Sequence, residues 1–175
     1  MDDSMSNPIQ QEYETLPEET RWTLEKADGY IDLKLYSEAH SELQRVPTSF
    51  QTSLPYRLYL LRLLMAEKDW VASQECAIEL NKALPNEPSF WIQLAYATRR
   101  AVNIQAARDI LLEAMIRFPN EAIIPYNLAC YSCRDGELDK ASSYLDRALH
   151  LDPKCKHLAQ EDEDLEPLWD SLANG

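Results

Sequence analysis

The sequence predicts an all-α fold, a repeating array of packed helices, and three observations carry that expectation. The 175-residue chain aligns with itself without gaps every 34 residues, as 20–53, 54–87, 88–121 and 122–155. Small or apolar residues recur in register: Ala27, Leu61, Ala95 and Ala129 at the eighth position, and Ala39, Ser73, Ala107 and Ala141 at the twentieth. Leu43, Ala77, Leu111 and Leu145 hold the twenty-fourth, and Val46, Leu80, Ala114 and Ala148 the twenty-seventh. Small side chains at two fixed places let helix backbones approach closely, while larger apolar ones fill the seams. Finally, Pro85, Pro119 and Pro153 close three units in register, and only 3 glycines are present, too few for a turn-rich β protein.

Each segment has its own justification. Residues 1–19 are acidic and read as partly disordered or as an extension of the first helix. In 20–53, Pro47 stops the second helix early, and the polar run between Pro47 and Pro55 predicts a long, loose connection. Asp69 marks the turn inside 54–87, and Gly136 with Glu137 the turn inside 122–155. Each unit buries its apolar face only against its neighbours, so the last one needs a cover. Residues 156–175 supply Leu158, Leu165, Leu168, Trp169 and Leu172, spaced for an acidic cap helix with one apolar face.

The net charge of −13 is concentrated at the ends. Residues 1–20 and 157–175 each carry six acids and no Lys or Arg, so the body between them sums to −1. Such ends oppose binding to nucleic acid or an anionic membrane, both of which present phosphates. They serve solubility, or a tail gates a basic groove. The acidic start has no apolar signal region, and no apolar run approaches the ~20 residues that span a bilayer. With four cysteines and no export signal, the expectation is a cytoplasmic protein with free thiols.

The run PYNLACYSCRDGELDKASSYLDRALHLDP, with Leu128, Ala129, Gly136, Ala141, Ala148 and Pro153, resembles the tetratricopeptide repeat. Trp91, Leu94, Ala95, Ala107, Ala114 and Pro119 match it in the third unit, and Leu60, Leu61, Leu64, Trp70 and Pro85 in the second. The first departs most, with Lys26 where Leu is usual. The resemblance covers about 20–155 and implies a right-handed superhelical solenoid of four helix-turn-helix units with a C-terminal capping helix. It also implies that first helices line a concave groove. In the first two units this takes Leu24, Asp28, Ile31 and Asp32, then Leu58, Arg62, Met65 and Ala66. The third gives Ile92, Tyr96, Arg99 and Arg100, and the fourth Ile123, Tyr126, Cys130, Cys133 and Arg134. Arginine, tyrosine and apolar anchors together suit a protein or peptide partner bearing carboxylates, unless nearby acids such as Glu67 and Asp135 neutralise the arginines. The carboxylate clamp of chaperone-binding arrays is missing, because Leu24, Asp28 and Arg62 stand at its positions. The acidic, four-unit make-up further resembles bacterial kinesin light chains, which implies a bacterial tubulin filament as partner. The alternatives are a general scaffold or secretion-type chaperone that shields a client on Leu58, Met65, Ile92 and Tyr126, and a metal-binding or enzyme accessory subunit.

No catalytic, cofactor or metal site is expected, and no small-molecule substrate. The chain lacks HExxH, GxSxG and any phosphate-cradling glycine loop. The CxxC of Cys130 and Cys133 falls within a first helix, away from the N-terminus where the helix dipole would lower a thiol pKa. Zinc needs about four ligands, and His150, Cys155 and His157 are poorly spaced to complete a set. His40 and His150 lie on second helices, as solvated residues. Metal analysis of purified protein is therefore expected to find far less than one zinc per chain; a value near one would overturn this reading.

Overall fold

The computed structural model describes residues 8–170, and every regular element among them is helical. The chain divides into two compact units, Met1–Ala83 and Leu84–Gly175. In the first, α1 (Pro8–Thr15) precedes the paired helices α2 (Glu18–Asp32) and α3 (Tyr36–Arg45), and then α4 (Leu54–Glu67) and α5 (Trp70–Ala83). In the second, α6 (Pro88–Ala101) pairs with α7 (Ile104–Arg117), and α8 (Ile123–Arg134) with α9 (Leu138–Leu151). A short α10 (Cys155–Glu161) and a 3-10 turn (Glu163–Leu168) follow.

The turns within the pairs share a device. Position fifteen of the 34-residue frame is left-handed at Lys34 (φ 60°), Lys68 (φ 64°) and Gly136 (φ 75°). In each case the next residue's N–H reaches back five residues: Leu35 to the Tyr30 carbonyl at 2.8 Å, Asp69 to Leu64 at 3.0 Å, Glu137 to Ser132 at 2.9 Å. These 6→1 bonds satisfy carbonyls that the helix end would otherwise orphan. A β-branched residue resists left-handed backbone, and Val102, in the same register, adopts φ −122° and ψ −82° instead. There the following helix starts on a side-chain cap, Asn103 Oδ1 accepting from the Ala106 N–H at 2.8 Å.

In the first unit Leu24, Ala27, Ile31, Ala39, Leu43, Val46 and Leu63 form the core. Leu24 and Ile31, expected on the groove, are therefore core residues: helix α2 turns that stripe inward. One seam is charged. The seventh and twenty-third positions hold Leu60 with Cys76, Leu94 with Ile110 and Leu128 with Tyr144, but Lys26 with Glu42 in the first pair. Lys26 Nζ donates to Glu42 Oε1 at 2.8 Å, and Arg45 Nη1 donates to the same oxygen at 2.9 Å, so the buried carboxylate has two cations.

Two expectations about the first unit need correction. Residues 8–15 form a separate helix, broken from α2 before Pro17, and α1 packs on α4, with Glu12 Oε2 accepting from the Leu54 N–H at 3.0 Å. Residues 1–7 lie outside the described chain. The connection after Pro47 is not loose: Thr48–Phe50 make a 3-10 turn, and Gln51 Nε2 donates to the Val46 carbonyl at 2.8 Å. Ser53 then caps α4, its hydroxyl oxygen accepting from the Tyr56 N–H.

In the second unit Ala95, Ala107, Ala129 and Ala141 are fully buried, and Leu111, Leu128, Leu145 and Tyr131 fill the spaces around them. Helix α8 is buried from Ile124 to Cys133 except at Asn127. A helix apolar on all sides needs cover on all sides, and the C-terminal segment supplies part of it. That segment is not one amphipathic helix: α10 ends at Glu161, Asp162 is extended, and the 3-10 turn follows. Cys155 and Ala159 face inward from α10, whereas Leu158 points to solvent at 48% exposure. Leu165 and Leu168 are buried and Trp169 half-buried, its indole donating to the Ala159 carbonyl at 2.8 Å. Leu172 lies outside the described residues.

Relieving the left-handed lysines is expected to stabilise the fold. Lys34→Gly and Lys68→Gly should each add about 0.5–1 kcal/mol in denaturant unfolding, while Val102→Gly adds nothing.

Candidate functional site

The sequence-predicted groove residues fall into two sets. In the first unit Leu58 and Met65 are half-buried and Arg62 is exposed. Arg62 pairs with Asp28, and its Nη2 donates to Asp32 Oδ1 at 2.6 Å. All three stand on first helices, so this face neutralises itself and ends with one acid in excess. Glu67 and Asp135, the acids expected to quench the arginines, are engaged elsewhere. Glu67 meets His40 Nε2 at 2.8 Å, and Asp135 accepts from Arg108 at 2.7 Å.

The second unit brings Arg99 and Arg134 together around one carboxylate. Helix α6 presents Ile92, Tyr96, Arg99 and Arg100, and α8 presents Tyr126, Cys130 and Arg134. Arg99 Nη1 donates to Asp164 Oδ2 at 2.6 Å, and Arg134 Nη1 lies 3.7 Å from Asp164 Oδ1. Beside them Tyr126 Oη donates to Asp162 Oδ2 at 2.9 Å, and the Cys130 thiol to the same oxygen at 3.5 Å. Tyr126 and Cys130, expected on an open groove, are thus buried, and the residues covering them come from the acidic end of the chain. The local backbone explains which acids point inward. Asp162 caps the 3-10 turn, its Oδ1 accepting from the Asp164 N–H at 3.0 Å, and Leu165 anchors in the core. Asp162 and Asp164 consequently face α8 while Glu161 and Glu163 face solvent.

The electrostatics follow from this burial. Burial opposes the charge on Arg99, but the hydrogen bond and charge of Asp164 outweigh it and hold the guanidinium above its ordinary pKa. The Arg99 guanidinium lies 5.0 Å from the centre of the Tyr131 ring, and Arg100 stacks on Tyr96 at 3.8 Å. Desolvation pushes the Tyr131 hydroxyl up to about 12. It also raises the Tyr126 hydroxyl and the Cys130 thiol, and neighbouring Asp162 adds to both shifts. Cys133 and Cys155 are raised by burial as well. A thiol held protonated is neither a nucleophile nor a metal ligand, and among the described residues no three His, Cys, Asp or Glu side chains group to hold an ion.

Sequence reasoning passed over one feature. Trp22 is 73% exposed beside a cleft of about 760 Å³ in the first unit, lined also by Pro17, Lys26, Glu42, Pro47 and Phe50. None of the expected groove residues lines it. A tryptophan just after a helix start, at a position the repeat leaves to solvent, is the signal that was available.

The thiols give a direct check. With native protein near neutral pH, maleimide is expected to modify half-buried Cys76 first, and Cys130, Cys133 and Cys155 only on the timescale of unfolding. Rapid joint labelling of Cys130 and Cys133 would contradict the buried arrangement.

No family model matches the sequence, and no curated protein matches it. Among solved structures, the chain is similar to "MamA RS-1 ArsTM double mutant", with a TM-score of 0.67 and 12% identity over 83% of this chain and 82% of that one. It is also similar to "MamA MSR-1 C2", with a TM-score of 0.65 and 14% identity over 84% of this chain and 86% of that one. MamA has a tetratricopeptide-repeat fold. At such identities the likeness establishes a tetratricopeptide-like all-helical fold, and it carries no kinesin light chain resemblance and no partner.

Proposed function

We propose that the protein is a non-catalytic interaction scaffold whose second unit receives an acidic segment of a partner protein on Arg99 and Arg134. One observation carries the reading: a carboxylate, that of Asp164, is seated between these two guanidiniums. Charge-assisted bonds of this kind are short, strong and selective for carboxylates. The Tyr96 and Arg100 stack on the same helix adds planar surface of the sort that anchors interfaces. The burial of Cys130, Cys133 and Cys155 and the pairing of His40 with Glu67 support a role without chemistry of its own. A tubulin-type filament with an acidic surface is the finer form of the same reading. A purely apolar client fits less well, because Tyr126 is covered and Leu58, Met65 and Ile92 are half-buried.

Affinity capture from a lysate of the source organism, with the wild type and the Arg99→Glu/Arg134→Glu variant, tests this. The wild type is expected to retain a protein that the folded variant loses, and retention should weaken as salt rises and the Debye length falls towards ~8 Å. Equal retention by both proteins would sink the arginine site. Capture of a tubulin-like protein would support the finer reading.

A further inference from the structure

We infer that the C-terminal segment Asp162–Leu168 is an internal ligand: it fills the acidic-peptide seat of the second unit and must leave before a partner can bind there. The inference rests on the reading of Arg99 and Arg134 as a partner site and names what that partner must look like.

The segment behaves as a docked peptide rather than as a continuation of the repeat. It follows a break at Asp162, where the backbone turns extended, and it crosses α8 as a 3-10 turn. Its contacts divide by chemistry. Asp162 takes the Tyr126 hydroxyl and the Cys130 thiol, Asp164 takes Arg99 and Arg134, and Leu165 and Leu168 fill apolar space. Glu161, Glu163 and Glu166 touch none of these groups and stay exposed. The recognised pattern is therefore Asp-x-Asp-Leu, two carboxylates two residues apart followed by a leucine. A partner segment with this pattern reproduces each contact made by Asp162, Asp164 and Leu165.

Competition is the direct consequence. A tethered segment acts at an effective concentration on the order of millimolar, so a free peptide of the same sequence must overcome that advantage. Weakening the tethered copy should strengthen binding of the free one. Because Leu165 and Leu168 also close the core, the tethered copy is best weakened through its carboxylates and not by truncation.

The experiment uses full-length chains and a fluorescent peptide, EDEDLEPLWD, copied from residues 161–170. By anisotropy, Asp162→Asn/Asp164→Asn is expected to bind it at least tenfold more tightly than the wild type. Adding Arg99→Glu/Arg134→Glu should abolish that gain. In the wild type, saturating peptide should speed hydrogen exchange of the amides at 163–168, a readout that needs no variant to fold. Equal affinity of wild type and Asn variant, no binding to either, or unchanged exchange at 163–168 would each overturn the internal-ligand inference. Arginine-dependent capture of a lysate protein, alongside any of those results, would leave the scaffold reading standing. Loss of arginine dependence in capture would remove the reading itself.

Discussion

Helix α8 is buried along its length except at Asn127 and its two ends, and the second unit is arranged around that constraint. Its stripe of Ala129 and Leu128 is met by α7 and α9, a normal outcome for a helix in a paired array. A neighbouring stripe carries Tyr126, Cys130 and Cys133, which an open groove would leave wet. A hydroxyl and two thiols buried among apolar rings need polar partners, because a purely apolar cover would leave the hydroxyl unpaired. The acidic turn after α10 resolves this by bringing carboxylate oxygens to the hydroxyl and one thiol, and leucines to the rest. Arg99 and Arg134 then offset the charge that the turn carries in.

Much of the architecture was legible in the sequence because packing in helical pairs leaves a strict trace. The buried alanines at 95, 107, 129 and 141 stand where backbones come closest, and a 34-residue register makes them visible. The prolines and glycine marked ends correctly for the same reason: their backbone limits do not depend on tertiary context. The cap was less legible. Leu158 and Leu165 fit one helical stripe on paper, but a break at Asp162 puts them on different faces.

The candidate site was legible only by halves. Arg62, Arg99 and Arg134 could be found from their register, but not their partners, since a run of four acids gives no sign of which two turn inward. That choice depends on the Asp162 cap and on Leu165 finding the core, both tertiary events. Arg62 shows the opposite case. Asp28 and Asp32 were in view as groove residues, yet their proximity to Arg62 comes from the packing of α2 against α4.

The charged seam between α2 and α3 places a buried carboxylate where the matching seams of the other pairs have none. The hydrogen bond from Lys26, helped by Arg45, outweighs burial and holds the Glu42 carboxyl below its ordinary value of 4.5. A carboxyl depressed on folding stabilises the native state above its unfolded value, and that contribution drains away as pH falls through the folded value. The places that match Glu42 in the other pairs hold Cys76, Ile110 and Tyr144, none of which is a carboxylate. Acid therefore reaches the packing of α2 on α3 through a single buried carboxylate, and the matching seams of the remaining pairs carry no carboxylate.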